Sequence, residues 1–152
     1  NLLFWSLIFI GADRYSTNQK LTEPDITKMT LGQVFFIGCA QAIALLPGTS
    51  RSGITIAGGL FTKLSPPTAA RFSFLLGAPI IFAAGTLKTF NFLSDPTSLI
   101  QLSASHLVIG LLVSFVVGYI SIKLLLGIVS RLGLMPFIVY RIILAILILI
   151  FF

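Results

Sequence analysis

The sequence predicts an all-α polytopic membrane protein that contains one helix–loop–helix hairpin of the re-entrant kind. The composition is the first reason: 57% of the residues are hydrophobic and only 9% are charged, whereas a soluble domain carries roughly 25% charged residues. The second reason is the arrangement of the chain as apolar segments separated by polar loops. The third is a Pro-Gly break at residues 47 and 48, in the middle of one apolar segment.

The segment lengths predict one membrane domain with three full transmembrane helices. The first apolar stretch is too short to cross a bilayer, which needs about 20 residues, so we expect a truncated helix there and a chain that is the C-terminal part of a longer protein. The expected elements are a partial helix at 1–12, a cytoplasmic loop at 13–30, a re-entrant hairpin at 31–60, and transmembrane helices at 66–90, 107–126 and 137–152.

The hairpin at 31–60 follows from its length. A straight helix of this length would extend about 45 Å at about 1.5 Å per residue, more than the hydrocarbon core of about 30 Å. Proline breaks a helix because it lacks an N–H donor and clashes with the preceding turn. Each arm then reaches only part of the way through the membrane. Irregular backbone at that depth needs protein or a water-filled cavity around it.

The basic residues favour the same topology. With a re-entrant hairpin, one membrane face collects nearly all of them, and the positive-inside rule makes that face cytoplasmic. These residues are Arg14, Lys20, Lys28, Lys63, Arg71, Lys123 and Arg131. The ten lysines and arginines are scattered singly, and such a distribution does not indicate a nucleic-acid partner.

The residues around the break predict a phosphate-sized anion site inside the membrane. Arg51 is the only charged residue between Lys28 and Lys63, and an ionised side chain at membrane depth is costly unless it has a function. Its guanidinium suits phosphate oxygens, and a helix that begins near Ile54 would direct its positive end to the same place. Hydroxyls and glycines that add donors or free the backbone are Gly48, Thr49, Ser50, Ser52 and Gly53.

Other interpretations of these residues remain open at this point. Arg51 could snorkel, or cap carbonyls at a helix break, and no single hydroxyl is identified as a nucleophile by spacing. Arg141 stands out among the remaining basic residues because it lies beside Tyr140, inside the last helix. We expect all four acidic residues, Asp13, Glu23, Asp25 and Asp95, in polar loops away from Arg51. The residues therefore predict an electrophilic clamp without its general base.

The motif at 47–53, Pro-Gly-Thr-Ser-Arg-Ser-Gly, resembles the second signature of the undecaprenyl-diphosphate phosphatase (bacitracin-resistance protein) family. The segments Phe-Ser-Phe-Leu-Leu-Gly-Ala-Pro at 72–79 and Pro-Phe-Ile-Val-Tyr-Arg at 136–141 resemble the same family. The resemblance implies a multi-pass enzyme of the bacterial plasma membrane, with an active site that faces the periplasmic side. It would remove the terminal phosphate of undecaprenyl diphosphate, recycle the lipid carrier for peptidoglycan synthesis and confer bacitracin resistance.

The resemblance also implies which residues act and what the chain lacks. Arg51 and Ser50 match the catalytic positions, and Gly48, Thr49, Ser52 and Gly53 match the phosphate-binding positions. The family has an inverted repeat with two hairpins, and this chain matches the half that carries the second. The family implies a divalent cation, Mg or Ca, whose ligands are not in this chain. The implied partners are the polyprenyl diphosphate, the membrane, the missing N-terminal half and, as a further option, a second copy in a homodimer.

Two further functions are compatible with the same residues. Half-helices that meet at the membrane midplane also bind anions in transporters, so the alternative is a transporter or lipid flippase with an anion site at the hairpin. A third interpretation treats the chain as a packing module of a larger complex. Phosphate release, or transmembrane movement without chemistry, distinguishes the first two. Substitution of Arg51 by lysine distinguishes a bidentate clamp from a simple charge anchor.

Overall fold

The computed structural model describes residues 1–17, 26–94 and 104–151, and every regular element in these ranges is helical. Residues 18–25 and 95–103 hold part of the predicted cytoplasmic loop, including Glu23 and Asp25, and the predicted loop residue Asp95. These predictions lie outside the described residues. The helices are α1 (Leu2–Thr17), a short 3-10 turn (Ile26–Lys28), α2 (Leu31–Ile43), α3 (Arg51–Phe61), α4 (Pro66–Ser94), α5 (Ala104–Leu132) and α6 (Met135–Phe151).

The first helix is longer than the sequence predicted. We expected it to end at residue 12 and Asp13 to lie in a solvated loop, but α1 continues to Thr17 and buries Asp13. The Asp13 carboxylate accepts a hydrogen bond of 2.9 Å from the backbone N–H of Leu134, at the start of α6. Gly133 precedes it with φ of +65°, and a side chain there would meet the Asp13 carboxylate at 2.9 Å. Asp13 is thus a long-range cap of α6.

Removal of the Asp13 carboxylate is expected to destabilise the protein by about 1–3 kcal/mol, because it leaves the buried N–H of Leu134 without an acceptor. Asp13→Asn keeps an oxygen in the same place and should cost much less than Asp13→Ala. Thermal unfolding in detergent, followed by circular dichroism, measures the difference. Equal losses for the two variants would contradict the capping role.

The segment at 31–60 folds as two antiparallel helices joined by a tight break. Thr30 and Gln33 form a capping box at the start of α2. The Gln33 side chain also donates a hydrogen bond of 2.9 Å to the carbonyl of Thr62, just after α3. The first turn of α2 is therefore tied to the last turn of α3, and the break lies at the opposite end of the pair.

The chain forms two compact units. The first contains residues 1–74 and 126–152 and therefore holds α1, α2, α3, the beginning of α4, the end of α5 and all of α6. Within it α3 packs against its neighbours through glycines. A Cβ at Gly58 would lie 3.2 Å from Cβ of Ala40 in α2, and one at Gly59 would lie 2.7 Å from Cβ of Ala69 in α4. These close approaches place most of α3 in the core.

The second unit, residues 75–125, consists of the remainder of α4 and most of α5. Within the part of the chain that the structure describes, two helices, Pro66–Phe92 and Ser105–Leu132, are long and apolar enough to cross a membrane. The sequence predicted three such helices. The third, α6, has 17 residues and extends about 26 Å, so it lies at the lower limit for a crossing. Both α4 and α5 extend beyond the predicted bounds, because their polar ends continue the helical hydrogen bonding.

Candidate functional site

The break between α2 and α3 is made by residues that suit a sharp change of chain direction. Gly48 follows Pro47 with φ of +81°, in the left-handed region that favours glycine. Thr49 is fully buried, and its hydroxyl donates a hydrogen bond of 2.8 Å to the carbonyl of Leu46. The role predicted for Thr49 in phosphate binding stays a prediction. In this structure its hydroxyl stabilises the loop.

Ser50 determines where α3 begins. It is the N-cap, and its hydroxyl oxygen accepts a hydrogen bond of 3.2 Å from the backbone N–H of Gly53. As a result α3 starts at Arg51, three residues before the predicted start near Ile54. Ser50 also has φ of +69°, which is strained for a residue with a Cβ. Strain of this kind is typical of functional sites. Because its oxygen is the acceptor, the Ser50 hydroxyl proton remains free to donate.

Arg51 is the first residue of α3 and is partly exposed. Its guanidinium forms no hydrogen bond or ion pair with any residue in the described ranges. The backbone N–H groups of Arg51 and Ser52 likewise have no acceptor among the described residues, as is usual for the first turn of a helix. Ser52 is exposed, and its side chain is also unbonded within these ranges. A group of unused donors therefore surrounds the beginning of α3.

Gly53 allows α1 to approach this first turn closely. A Cβ at Gly53 would lie 2.6 Å and 2.8 Å from two ring carbons of Phe9, which is itself buried. Both distances are well inside van der Waals contact of about 3.5–4.0 Å. The residue was predicted as a phosphate-binding position. The structure adds a packing reason for a glycine there.

Two hydroxyls that sequence reasoning did not single out, those of Thr55 and Ser73, stabilise the helical turn that begins at Arg51. Thr55 donates to the carbonyls of Arg51 (2.9 Å) and Ser52 (3.1 Å). Its oxygen also lies 2.6 Å from the hydroxyl of Ser73 on α4, in a buried contact. Thr55 lies one helical turn after Arg51, and that spacing is the signal that could have found it.

The backbone carbonyls of Pro47 and Gly48 in the break accept hydrogen bonds from side chains in distant parts of the chain. Arg141 on α6 donates from Nη2 to the carbonyl of Gly48 at 2.9 Å. The Asn1 side chain donates to the carbonyl of Pro47 at 3.2 Å. The sequence singled out Arg141 for its position but gave it no partner. The contact joins residues 93 positions apart and has no local signal.

These residues do not form a metal centre. Among the residues that the structure describes, no three His, Cys, Asp or Glu side chains lie close enough to hold a metal ion. The one described acidic residue, Asp13, is engaged with Leu134. The divalent cation implied by the resemblance therefore does not fit this set of residues, and no chemical step is derived through it.

Comparison with known proteins gives a consistent result. The sequence profile described as bacitracin resistance protein BacA matches residues 1–147. An undecaprenyl-diphosphatase of Chromohalobacter salexigens is 42% identical over 98% of this chain and 52% of its own length. The undecaprenyl-diphosphatase of Campylobacter concisus is 41% identical over 90% of this chain and 51% of its length. The undecaprenyl-diphosphatase of Persephonella marina is 39% identical over 99% of this chain and 58% of its own length.

The chain thus spans about half the length of the curated relatives that it matches. The family match covers the break, the first turn of α3 and the Arg141 helix together. Since that match includes nearly all of the sequence, the chain belongs to the bacitracin resistance protein BacA family of membrane proteins.

Proposed function

We propose that this protein hydrolyses undecaprenyl diphosphate to undecaprenyl phosphate and inorganic phosphate. The reaction would recycle the lipid carrier for peptidoglycan synthesis and confer resistance to bacitracin. The observation that carries the proposal is the Arg51 guanidinium, which has no partner in the described ranges and stands at a helix start with unused N–H donors. The printed names of the relatives, undecaprenyl-diphosphatase, supply the substrate class.

In this proposal the first turn of α3 binds the phosphoryl group that is transferred. The guanidinium of Arg51 donates two parallel hydrogen bonds to its oxygens. The N–H groups of Arg51 and Ser52 add backbone donors, and the positive end of the α3 dipole faces the same oxygens. Water attacks the terminal phosphorus, and the bond to the bridging oxygen breaks. Negative charge on the phosphoryl oxygens and the leaving phosphate is stabilised by donors that are already in place.

The Ser50 hydroxyl is the second residue assigned to catalysis. It accepts from Gly53 and keeps its proton available, so it donates to a phosphate oxygen or orients the attacking water. The general base and the ligands of a divalent cation come from outside the described residues. We assign them to the other half of an inverted-repeat enzyme, of which this chain supplies the half with Arg51; a homodimer is a further assembly to be tested.

The α2–α3 pair is the re-entrant hairpin in this proposal, and its break opens to the periplasmic side of the plasma membrane. The support is the antiparallel packing of two short apolar helices of 13 and 11 residues. At about 1.5 Å per residue, neither helix extends through a hydrocarbon core of about 30 Å.

The proposal predicts that activity requires both halves. We expect this chain alone to release essentially no phosphate from a polyprenyl diphosphate in detergent micelles. Mixed with a separately expressed N-terminal half, it should release phosphate, and Arg51→Ala in the mixture should abolish the release. A colorimetric phosphate assay with short and long polyprenyl chains measures all three.

The possible results of this assay test two claims separately: that the base comes from a second half, and that the protein is a phosphatase. Activity of this chain alone would place the base within these residues and contradict the assignment to a second half. If no combination releases phosphate, but the protein moves polyprenyl diphosphate across vesicle membranes, the enzymatic proposal is wrong and the transport function takes its place.

A further inference from the structure

The break in the hairpin exposes carbonyl groups as well as N–H groups. Pro47 and Gly48 follow the last turn of α2, so their carbonyls have no helical N–H to accept from. In a low-dielectric environment an unpaired carbonyl is costly, and it also carries the wrong sign of charge for an anion site. The Gly48 carbonyl is the closer of the two to Arg51 in sequence, and it is the one bound by Arg141.

The guanidinium of Arg141 is held in place by two contacts of different kinds. Nη2 donates to the Gly48 carbonyl at 2.9 Å. The central carbon of the group lies 5.2 Å from the centroid of the Phe9 ring, a cation–π distance. Its Nε is buried and has no hydrogen-bond partner among the residues that the structure describes. The same Phe9 ring touches Gly53 in the first turn of α3, so Arg141 contacts the break directly and α3 through one intervening ring.

We propose that Arg141 is a positioning residue. It binds the Gly48 carbonyl and neutralises the partial negative charge there, so that the N–H groups of Arg51 and Ser52 are left for phosphate. The inference rests on the proposed phosphatase function and deepens it. The two arginines then have different roles at the break between α2 and α3. Arg51 binds the anion, and Arg141 binds the carbonyl that would repel it.

Peptide geometry supports this assignment. A peptide group is planar, so a fixed Gly48 carbonyl also fixes the N–H of Thr49 on its opposite side. Gly48 has φ of +81°, and glycine adopts many other conformations with little strain. The N–H of Thr49 donates a long hydrogen bond of 3.4 Å to the carbonyl of Leu46. Without Arg141, this is the one hydrogen bond among the described residues that opposes a turn of the Gly48 carbonyl toward the phosphate.

The test uses the full-length protein that carries these residues, assayed for phosphate release from a polyprenyl diphosphate. We expect Arg141→Ala to lower kcat by about 10- to 100-fold with little change in KM, as for loss of a hydrogen bond to a charged group. Arg141→Lys keeps the charge and one donor and should retain more activity. Millimolar guanidinium should restore part of the activity of Arg141→Ala, because it occupies the vacated space. Arg131→Ala, an exposed arginine at the end of α5, is the matched control and should behave as the unsubstituted protein.

A second variant keeps the test informative if Arg141→Ala fails to fold. Phe9→Leu removes the cation–π contact and should lower kcat by about three- to tenfold, and its effect should shrink in a protein that already carries Arg141→Lys. A rise in KM with unchanged kcat would show that Arg141 binds the substrate itself, and would overturn the positioning role. So would equal effects of Arg131→Ala and Arg141→Ala. If the unsubstituted protein releases no phosphate, the proposed function fails instead.

Discussion

Replacement of Arg51 by lysine is expected to lower kcat/KM for phosphate release by about 100-fold or more, and Arg51→Ala by more again. Lysine keeps the positive charge but offers a compact ammonium in place of a planar fork, so the paired hydrogen bonds to phosphate oxygens are lost. Loss of one preorganised donor to a developing charge costs about 100- to 1000-fold in other enzymes. Steady-state phosphate release from a polyprenyl diphosphate by the full-length protein measures the effect.

Arg71→Lys is the control for this experiment. Arg71 lies on α4 in the same unit, and its side chain is exposed. The control should leave kcat/KM unchanged. Full activity of Arg51→Lys would show that only the charge is needed, and Arg51 would then be an anchor or a carbonyl cap.

The second large effect is expected at Gly53. Gly53→Ala favours the helix by intrinsic propensity, yet the new Cβ would lie 2.6 Å from the Phe9 ring. Either the buried Phe9 ring or the first turn of α3 must shift by most of an ångström. Arg51 lies two residues earlier in that turn, and a displacement of about 1 Å at a catalytic group costs about 100-fold in rate. Phosphate release should therefore fall by about 100-fold, while circular dichroism shows an unchanged helix content.

Two companion variants identify the cause. Gly53→Ala combined with Phe9→Leu should recover part of the activity lost by Gly53→Ala, since the smaller side chain makes room. Gly38→Ala, at a helical glycine of α2 whose Cβ would meet nothing within 4 Å, should be neutral. An inactive double variant, or an equal loss at Gly38, would exclude the contact with Phe9 as the reason.

The central feature of the site could be predicted because its signals are local. A proline breaks the helix and the next residue is a glycine, so the sequence predicted the break itself. It did not predict that Ser50 caps the following helix. These residues lie within a few positions of Arg51. The predicted start of α3 was late by three residues, because Ser50 caps Gly53 from a backbone conformation that sequence does not reveal.

The residues that sequence reasoning placed incorrectly or left without a role depend on contacts between distant segments. Asp13 looked like a loop residue because charged residues follow it, but its carboxylate reaches an N–H 121 positions away. Arg141 stood out in the sequence for its position beside Tyr140, but only the folded chain brings it to Gly48. The helix ends were underestimated for a related reason. Polar residues continue a helix when its hydrogen bonds are satisfied, and hydropathy does not record that.

The glycine contacts of α3 affect how much conformational entropy is lost when a ligand binds at the candidate site. At Gly53, Gly58 and Gly59 the backbone of α3 forms the contact with its neighbours, so α3 contributes no rotatable side chain at these three positions. The backbone that carries Arg51 therefore has little conformational entropy left to lose when an anion binds, so the ordering cost falls on the Arg51 side chain and the ligand. Under the proposed function, a diphosphate mimic with a non-rotating bridge should therefore bind more tightly than a flexible one with the same charges.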